Sequence, residues 1–227
     1  MRGLTRLQQR VAKIVLAEAA PHGFALAGGA GLVAAGVSTR PTEDIDAFSW
    51  RASDVREAAQ AVSGALEADG LIVERDRYEA DFVRLIATAG SARRRRQVRI
   101  ELGRDYIEWP LVETRLGPAL SPRELAANKV LALFSRVKPR DLCDVAILST
   151  QYDLEQVLVD AKVKDPGFWR PVLAGYIRMV LVEPDELWPE GFDLDVVRAF
   201  GQRLIKALDD GEELRGLAPD GPIWERG

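Results

Sequence analysis

The fold of this 227-residue chain is decided by two linked segments, Phe24-Ala25-Leu26-Ala27-Gly28-Gly29-Ala30-Gly31-Leu32 and Arg40-Pro41-Thr42-Glu43-Asp44-Ile45-Asp46-Ala47-Phe48. The first predicts a short apolar strand that enters a glycine turn and then a short helix. The second predicts a strand that carries two acids. Because side chains alternate between the faces of a strand, Asp44 and Asp46 point to one side while Ile45 points into the core.

The chemistry of this stretch follows from its residue types. Two neighbouring carboxylates repel each other, and a divalent cation relieves that repulsion. A glycine turn that opens a helix presents backbone N–H groups to a phosphate. Together these features indicate chemistry on a nucleoside triphosphate. Each also has a simpler interpretation: Gly28-Gly29 as a tight turn, and the Asp-x-Asp pair as a solvated strand end.

A second block begins at residues 121–124, Ser-Pro-Arg-Glu, which have the order of a capping box with proline at the first helical position. The helix that follows carries Lys129 and Arg136 on one face, because they are two turns apart. Lys138-Pro139 ends it, and the next helix carries Asp141 and Asp144 on a shared face.

The Gly-Gly turn followed by Asp-x-Asp resembles the signature of the DNA polymerase β-like nucleotidyltransferase superfamily. The later pattern, Leu-x-x-x-Lys and then Arg-Asp-Leu-x-Asp-Val, resembles the AbiEii/AbiGii (MenT-like) toxin family of that superfamily, so that the resemblance spans residues 24–148. The chain departs from the family at Gly29, where serine is commoner, which removes a hydroxyl. Its linking segment, residues 30–43, is also slightly longer than usual.

The resemblance implies a set of roles. The implied reaction transfers a nucleotide from a nucleoside triphosphate to RNA, with the 3′ end of tRNA as acceptor. The implied cofactor is Mg²⁺ or Mn²⁺, and the implied partner is a cognate antitoxin. The implied catalytic residues are Asp44, Asp46, Lys129 and Asp144. The implied nucleotide-binding residues are Gly28, Gly29, Lys129 and Arg136, and the implied metal ligands are Asp44, Asp46 and Glu101.

Glu101 is the candidate third carboxylate because polymerase β-like enzymes commonly take one from a strand beside the Asp-x-Asp strand. It lies on the polar face of an alternating strand, residues 97–102. An exposed strand glutamate would show the same pattern.

The other candidates have structural alternatives. Lys129 could extend its ammonium from an apolar helix into water, a structural role. If Lys129 is catalytic, alanine there should leave the melting temperature almost unchanged, because alanine is at least as good a helix former. A large fall in melting temperature would instead support the structural role. The chain has 25 arginines and six lysines, so a lysine in this helix is not its usual cation. Asp144 could pair with Arg140 one turn earlier, and Asp141 suits the first turn of a helix whatever its function.

The order of predicted elements gives an α+β fold, because strands come early and helices late. Residues 1–118 are expected to form a polymerase β-like nucleotidyltransferase core, a mixed sheet with flanking helices. Residues 119–227 are expected to form a C-terminal helical bundle that completes the active site. Within the core, helices are predicted over 4–20 and 53–66, and further strands over 71–74, 81–87 and 97–102. Later breaks are predicted at Pro139, near Pro166 and around 184–189.

Composition limits the partners and the compartment. The net charge of −4 argues against general coating of nucleic acid, so any RNA contact must be local. The run Arg93 to Arg96 is the one strong cationic cluster, and either an RNA backbone contact or a solvated loop explains it. A single cysteine, Cys143, suits a reducing cytoplasm, and a single histidine, His22, excludes a histidine-based metal cluster. No signal peptide or membrane-spanning run is evident.

The sequence therefore predicts a metal-dependent nucleotidyltransferase, the toxin component of a type IV-like toxin–antitoxin or abortive-infection system, in the cytoplasm. Two alternatives remain at this point. One is a nucleotidyltransferase of the antibiotic-modifying type, which shares the same core. The other is an interaction protein that binds nucleoside triphosphates without turnover.

Overall fold

The computed structural model describes residues 3–51, 54–90 and 95–224. It divides into two compact units, Met1–Leu125 and Ala126–Gly227. The elements of the first unit are α1 (Arg6–Ala19), β1 (Ala25–Ala27), α2 (Gly28–Ala34), β2 (Asp44–Ser49), α3 (Val55–Ala68), β3 (Ile72–Tyr78), β4 (Phe82–Ala89), β5 (Arg96–Arg104), β6 (Val112–Thr114) and β7 (Gly117–Ala119). Helix α4 (Pro122–Arg136) crosses the division between the units, and the second unit continues with α5 (Pro139–Ser149), α6 (Leu154–Lys164), α7 (Arg170–Leu181) and α8 (Leu194–Asp210). The predicted α+β class is confirmed.

The sheet has the order β3-β4-β5-β2-β1-β7-β6 and is mixed. Strand β2 runs antiparallel to β1 and parallel to β5, and β1 runs parallel to β7. The other pairs are antiparallel. The strand that carries the two acids therefore lies inside the sheet, between two neighbours that fix its register.

One face of this sheet forms the hydrophobic core. Ile45, Ile100, Leu102 and Leu85 are completely buried on it, and the buried apolar sides of α1 and α3 belong to the same cluster. The apolar members of β2 and β5 alternate with polar residues, as the sequence predicts. Burial of the apolar face leaves the other face of these strands to carry Asp44 and its neighbours.

The helix starts have identifiable caps. Thr5 and Gln8 form a capping box at the start of α1, and Asp54 caps α3 by accepting a hydrogen bond from the backbone N–H of Arg56. The sequence predicts Ser53 at that position; Ser53 lies outside the described residues, and the observed cap is one residue later.

Two short strands, β6 and β7, were not predicted. They have three residues each, and β7 contains Gly117 and Pro118, residue types that favour turns over strands. The predicted domain boundary, between 118 and 119, falls inside β7. The division in the structure lies between Leu125 and Ala126.

The second unit is helical, with breaks near the predicted prolines. Helix α5 begins at Pro139, α6 ends at Lys164 before Pro166, and α8 begins at Leu194 after the segment around 184–189. Cys143 is a buried residue of α5. In the parts of the chain that the structure describes, no helix is both long enough and apolar enough to cross a membrane.

Candidate active site

The polar face of the sheet is organised in rows across three strands. The first row places Asp44 of β2 opposite Arg99 of β5, which is opposite Ile86 of β4. In the next row, Asp46 lies opposite Glu101, which is opposite Arg84. Register therefore brings both aspartates and Glu101 to the same face, as the sequence predicts for each strand separately.

Gly28 is held in direct contact with Asp46. Its φ is +58°, a backbone conformation that suits glycine, and a Cβ there would lie 1.8 Å from Asp46 Oδ2. No side chain fits that space. The carboxylate of Asp46 thus lies over the first residue of α2, where the glycine turn enters the helix.

Gly29 has a different neighbour. A Cβ at this position would lie 2.6 Å from Thr42 Oγ1 and 3.1 Å from Thr42 Cβ. Thr42 belongs to the segment between α2 and β2, so its side chain occupies the space beside the turn. The serine that is commoner at this position would therefore clash with Thr42, which accounts for glycine in this chain.

Asp44 is a buried acid that is not fully satisfied. Its Oδ1 lies 3.2 Å from Arg99 Nη1, yet the geometry does not make this contact a hydrogen bond, and Oδ1 has no other hydrogen-bond partner. The pair is therefore an electrostatic contact only, and a weak one, because the Arg99 side chain is 47% exposed and solvent screens its charge. A buried carboxylate oxygen without a partner is costly. With Asp46 on the same face, these residues fit a divalent cation, since carboxylate oxygens are its usual ligands.

Glu101 shares this face but is engaged elsewhere. Arg84 Nε donates to Glu101 Oε1 at 2.9 Å, and Arg84 also reaches Asp76. Hydrogen bonds from Arg84 to Asp76 first, and to Glu101 after it, raise the pKa of Arg84. Among residues 3–51, 54–90 and 95–224, no three or more His, Cys, Asp or Glu side chains are grouped as a metal ligand set. The structure thus pairs Glu101 with an arginine rather than with the two aspartates.

In the second unit, Lys129 of α4 and Asp144 of α5 form a buried ion pair. The distance from Lys129 Nζ to Asp144 Oδ2 is 2.7 Å, and the two side chains are 9% and 0% exposed. The interpretation of Lys129 as a residue with its ammonium in water is therefore wrong. Asp144 takes this lysine as its partner, whereas the alternative paired it with Arg140.

Arg136 and Asp141 form a parallel pair between the same two helices. Arg136 Nη2 lies 2.9 Å from Asp141 Oδ1, while Asp141 Oδ2 is buried without a hydrogen-bond partner. The Asp141 side chain is fully buried and that of Arg136 is 47% exposed. Asp141 therefore has a specific partner in addition to its favourable place in the first turn of α5. The predicted shared faces of α4 and α5 meet through two ion pairs.

The arginine run is described only in part. Arg93 and Arg94 lie outside the described residues, whereas Arg95, just before β5, and Arg96, its first residue, are exposed. Arg96 shows no ion pair and no side-chain hydrogen bond within the described ranges.

Two residues beside the site, Arg84 and Thr42, could not be predicted as part of it from the sequence. Arg84 is on the polar face of β4. Alternation along the strand could have predicted that face, but it could not have predicted that Arg84 pairs with Glu101. Thr42 carries no signal in the sequence. Glu124 takes part in the predicted capping arrangement through its backbone N–H to Ser121 Oγ at 3.2 Å, and its carboxylate also accepts the backbone N–H groups of Glu108 and Trp109 at 3.0 Å each.

Comparisons with known proteins identify the family and the fold of the chain. The model of the family described as nucleotidyl transferase AbiEii toxin, type IV TA system, matches residues 14–220. No curated protein sequence matches the chain at a significant level. Two solved structures from Helicobacter pylori are similar in fold. JHP933 is 16% identical over 92% of this chain and 96% of its own, with a TM-score of 0.57.

The second of these structures is described as that of a candidate nucleotidyltransferase, and it is 17% identical over 92% of this chain and 100% of its own, with a TM-score of 0.59. At these identities the two structures show a common fold and nothing more. The family match covers most of the chain, both units included. The chain therefore belongs to the AbiEii nucleotidyl transferase toxin family of type IV toxin–antitoxin systems, which confirms the predicted resemblance and makes it a nucleotidyltransferase.

Proposed function

We propose that this chain transfers a nucleotide from a nucleoside triphosphate to an RNA acceptor, the 3′ end of tRNA, with release of pyrophosphate. The observation that carries the proposal is the arrangement at the start of β2. There Asp46 lies against Gly28 of the glycine turn, while Asp44, on the same face, has a buried oxygen without a hydrogen bond. A glycine turn at the start of a helix, beside two carboxylates, is the arrangement that phosphoryl transfer needs.

Asp44 and Asp46 are the residues that would hold Mg²⁺ or Mn²⁺. When bound there, a divalent cation supplies Lewis-acid stabilisation of the triphosphate and of the leaving pyrophosphate. The chain's own residues supply the positioning: the sheet fixes both carboxylates, and the lack of a side chain at Gly28 lets the Asp46 carboxylate lie against the glycine turn. Glu101 is the third ligand in this proposal, and it would have to exchange its ion pair with Arg84 for the cation.

The proposal includes the residues of the second unit that the resemblance assigns to the nucleotide, Lys129, Arg136 and Asp144. Cationic side chains stabilise the negative charge that accumulates on a transferring phosphoryl group. In that role Asp144 would orient Lys129, since the two are paired at 2.7 Å. We further propose that the protein acts in the cytoplasm, where RNA and nucleoside triphosphates are present, and that a cognate antitoxin restrains it.

The test is transfer of label from each of the four α-labelled nucleoside triphosphates, with bulk tRNA, with total RNA depleted of tRNA, or with an aminoglycoside as acceptor. We expect label on tRNA, dependent on added Mg²⁺ or Mn²⁺. Label on the aminoglycoside alone would instead identify an antibiotic-modifying enzyme. Bound nucleotide that is never transferred to any acceptor would identify a binding protein without turnover.

Two variants test the site within this assay. Asp44→Asn and Asp46→Asn keep the side-chain volume and remove the charge, so we expect transfer to fall by two or more decades for each. The matched control is Asp81→Asn, which removes an acid with a 69% exposed side chain beside the same sheet. Circular dichroism should show all three folded. Wild-type transfer by both site variants would refute the assignment.

A further inference from the structure

A cavity of about 740 Å³ opens beside Asp44 and is not needed to explain the triphosphate site. It lies where β2 and β5 both begin, between the start of α1 and the segment that leads into β2. Neither glycine of the turn lines it, and Asp46 does not line it either. It therefore adjoins the proposed triphosphate site on the side of Asp44 rather than coinciding with it.

The lining of this cavity is amphipathic. Its apolar part comes from Leu4 and Leu7 before and within α1, from Ile86 of β4 and from Val98 of β5. Ligand cavities of this size are typically apolar with a few polar groups that orient the ligand. The total volume of this cavity, about 740 Å³, lies within the usual range for such cavities, so that one nucleotide can be accommodated.

The charged residues of the lining suit a ligand that carries a phosphate at one end and meets a carboxylate at the other. Arg96 and Arg99 of β5 line the cavity, and the acids Glu43, just before β2, and Asp44, its first residue, also form part of the wall. Arg96 has no ion pair within the described ranges, and the Arg99 contact with Asp44 is not a hydrogen bond. Both guanidinium groups can therefore turn to a phosphate, which arginine binds in bidentate fashion.

The wall nearest Asp44 is rigidly built. The side chain of Gln8, which is 7% exposed, donates to the carbonyl oxygen of Thr42 at 2.5 Å. The same side chain accepts hydrogen bonds from Thr5 in the capping box of α1. Helix α1 thus holds the segment that enters β2, and a cavity held by such bonds is largely formed before its ligand arrives.

We infer that this cavity binds the 3′-terminal nucleotide of the RNA acceptor, with Arg96 and Arg99 on its phosphate and its hydroxyl end directed to Asp44. This inference rests on the proposed function, since it names the acceptor subsite of the same reaction. A free nucleoside triphosphate is the poorer occupant, because its phosphates would then lie at the arginines rather than at the glycine turn. Arg96 is a binding residue in this arrangement.

The experiment measures binding without catalysis. A fluorescent single-stranded 12-nucleotide RNA is titrated in the absence of nucleoside triphosphate, at two salt concentrations, against wild type and Arg96→Gln. We expect about tenfold weaker binding for the variant and a log–log salt slope smaller by about 0.7, the value for one lost phosphate contact on a single strand. The control, Arg75→Gln, makes the same charge change on the exposed strand β3 outside the cavity, and should bind as wild type does.

Two further variants fill the cavity without changing charge. Ile86→Trp and Gln97→Trp both place an indole in it, and either alone should weaken RNA binding at least as much as Arg96→Gln does. Two variants are used because Ile86 is half-buried and its replacement could disturb folding, whereas Gln97 is exposed. Binding of a fluorescent nucleoside triphosphate should stay within twofold of wild type in every variant.

A 4-thiouridine at the 3′ end of the same RNA should photo-crosslink to the peptides that contain Leu7 or Gln97. Wild-type RNA affinity in Arg96→Gln and in both tryptophan variants would overturn the inference. An equal loss of triphosphate binding would also overturn it, because the cavity would then belong to the nucleotide donor. Because these measurements need no turnover, a failure of nucleotidyl transfer leaves their outcome unaffected.

Discussion

Replacement of Gly28 by alanine should have two effects: a loss of stability, because alanine disfavours a positive φ, and a displacement of the Asp46 carboxylate. A second glycine with positive φ allows the two effects to be measured separately. Both Gly28 and Gly36 have positive φ, +58° and +78°, so alanine at either one costs about 1–2 kcal/mol of conformational free energy. Only Gly28 has a neighbour: its Cβ would lie 1.8 Å from Asp46 Oδ2, whereas nothing lies within 4 Å of a Cβ at Gly36. Gly36→Ala is therefore a control for the backbone term.

The extra effect at Gly28 can be worked from the distance. An ordinary contact needs about 3.4 Å, so the Asp46 carboxylate must retreat by 3.4 − 1.8 = 1.6 Å. Displacement of a catalytic group by about 1 Å can cost about a hundredfold in rate. We therefore expect Gly28→Ala to lose at least two decades of transfer, and Gly36→Ala to stay within a few-fold of wild type.

The assay compares initial rates of label transfer to bulk tRNA with melting temperatures from the same preparations. Both variants should melt lower than wild type, by about 2–4 °C for each kcal/mol in a chain of this length. Equal transfer rates for the two variants would refute the reasoning, because the contact with Asp46 would then have no part in catalysis. A far lower melting temperature for Gly28→Ala alone would point to a structural role instead.

Three other changes have distinct expected outcomes. Lys129→Met should lower the free energy of unfolding by about 3–5 kcal/mol, contrary to the sequence-based expectation of little change, because it removes the ammonium that compensates the buried Asp144 charge. Lys129→Met with Asp144→Leu should regain stability in chemical denaturation but not labelled-nucleotide transfer; recovery of both would make the pair structural. Gly29→Ser should reduce transfer because its Cβ meets Thr42 at 2.6 Å, and Thr42→Ala in the same chain should restore part of it; an unchanged single variant would contradict this steric account. Hydrogen bonds from an arginine of α3 lower the pKa of Asp54 from 3.8 to about 2, so its stabilising contribution should be complete above about pH 4 and lost as the pH falls through about 2. An NMR titration of Asp54 checks this, and a midpoint near 3.8 would contradict it.

The sequence predicted what local periodicity controls. Alternation around Ile45 and along β5 placed the acids on one face, and proline positions predicted the helix breaks of the second unit. The site could be predicted only as separate pieces. Helical spacing placed Lys129 on one face of α4 and Asp144 on one face of α5. It could not predict that these two faces meet.

Pairing across strands is the second kind of information that local patterns lack. Arg84 and Glu101 face each other because of the register of β4 and β5, and register depends on the whole hydrophobic face rather than on either residue. The hairpin of β6 and β7 was missed for another reason: at three residues per strand, alternation has too few positions to be recognised.

The parallel pairing of β2 with β5 also sets the order in which this toxin can acquire its site. Strands β3, β4 and β5 follow each other as an antiparallel meander, whose contacts are local and form early. Strand β2 can pair with β1, which is made before it, but its parallel pairing with β5 requires the strand that is made last of the three. A chain leaving the ribosome N-terminus first at 5–20 residues per second therefore holds Asp44 and Asp46 without their β5 neighbours until residue 104 has emerged. Synonymous changes that slow translation between β2 and β5 should lengthen this interval, and so delay toxicity in a cell without altering a single residue of the protein.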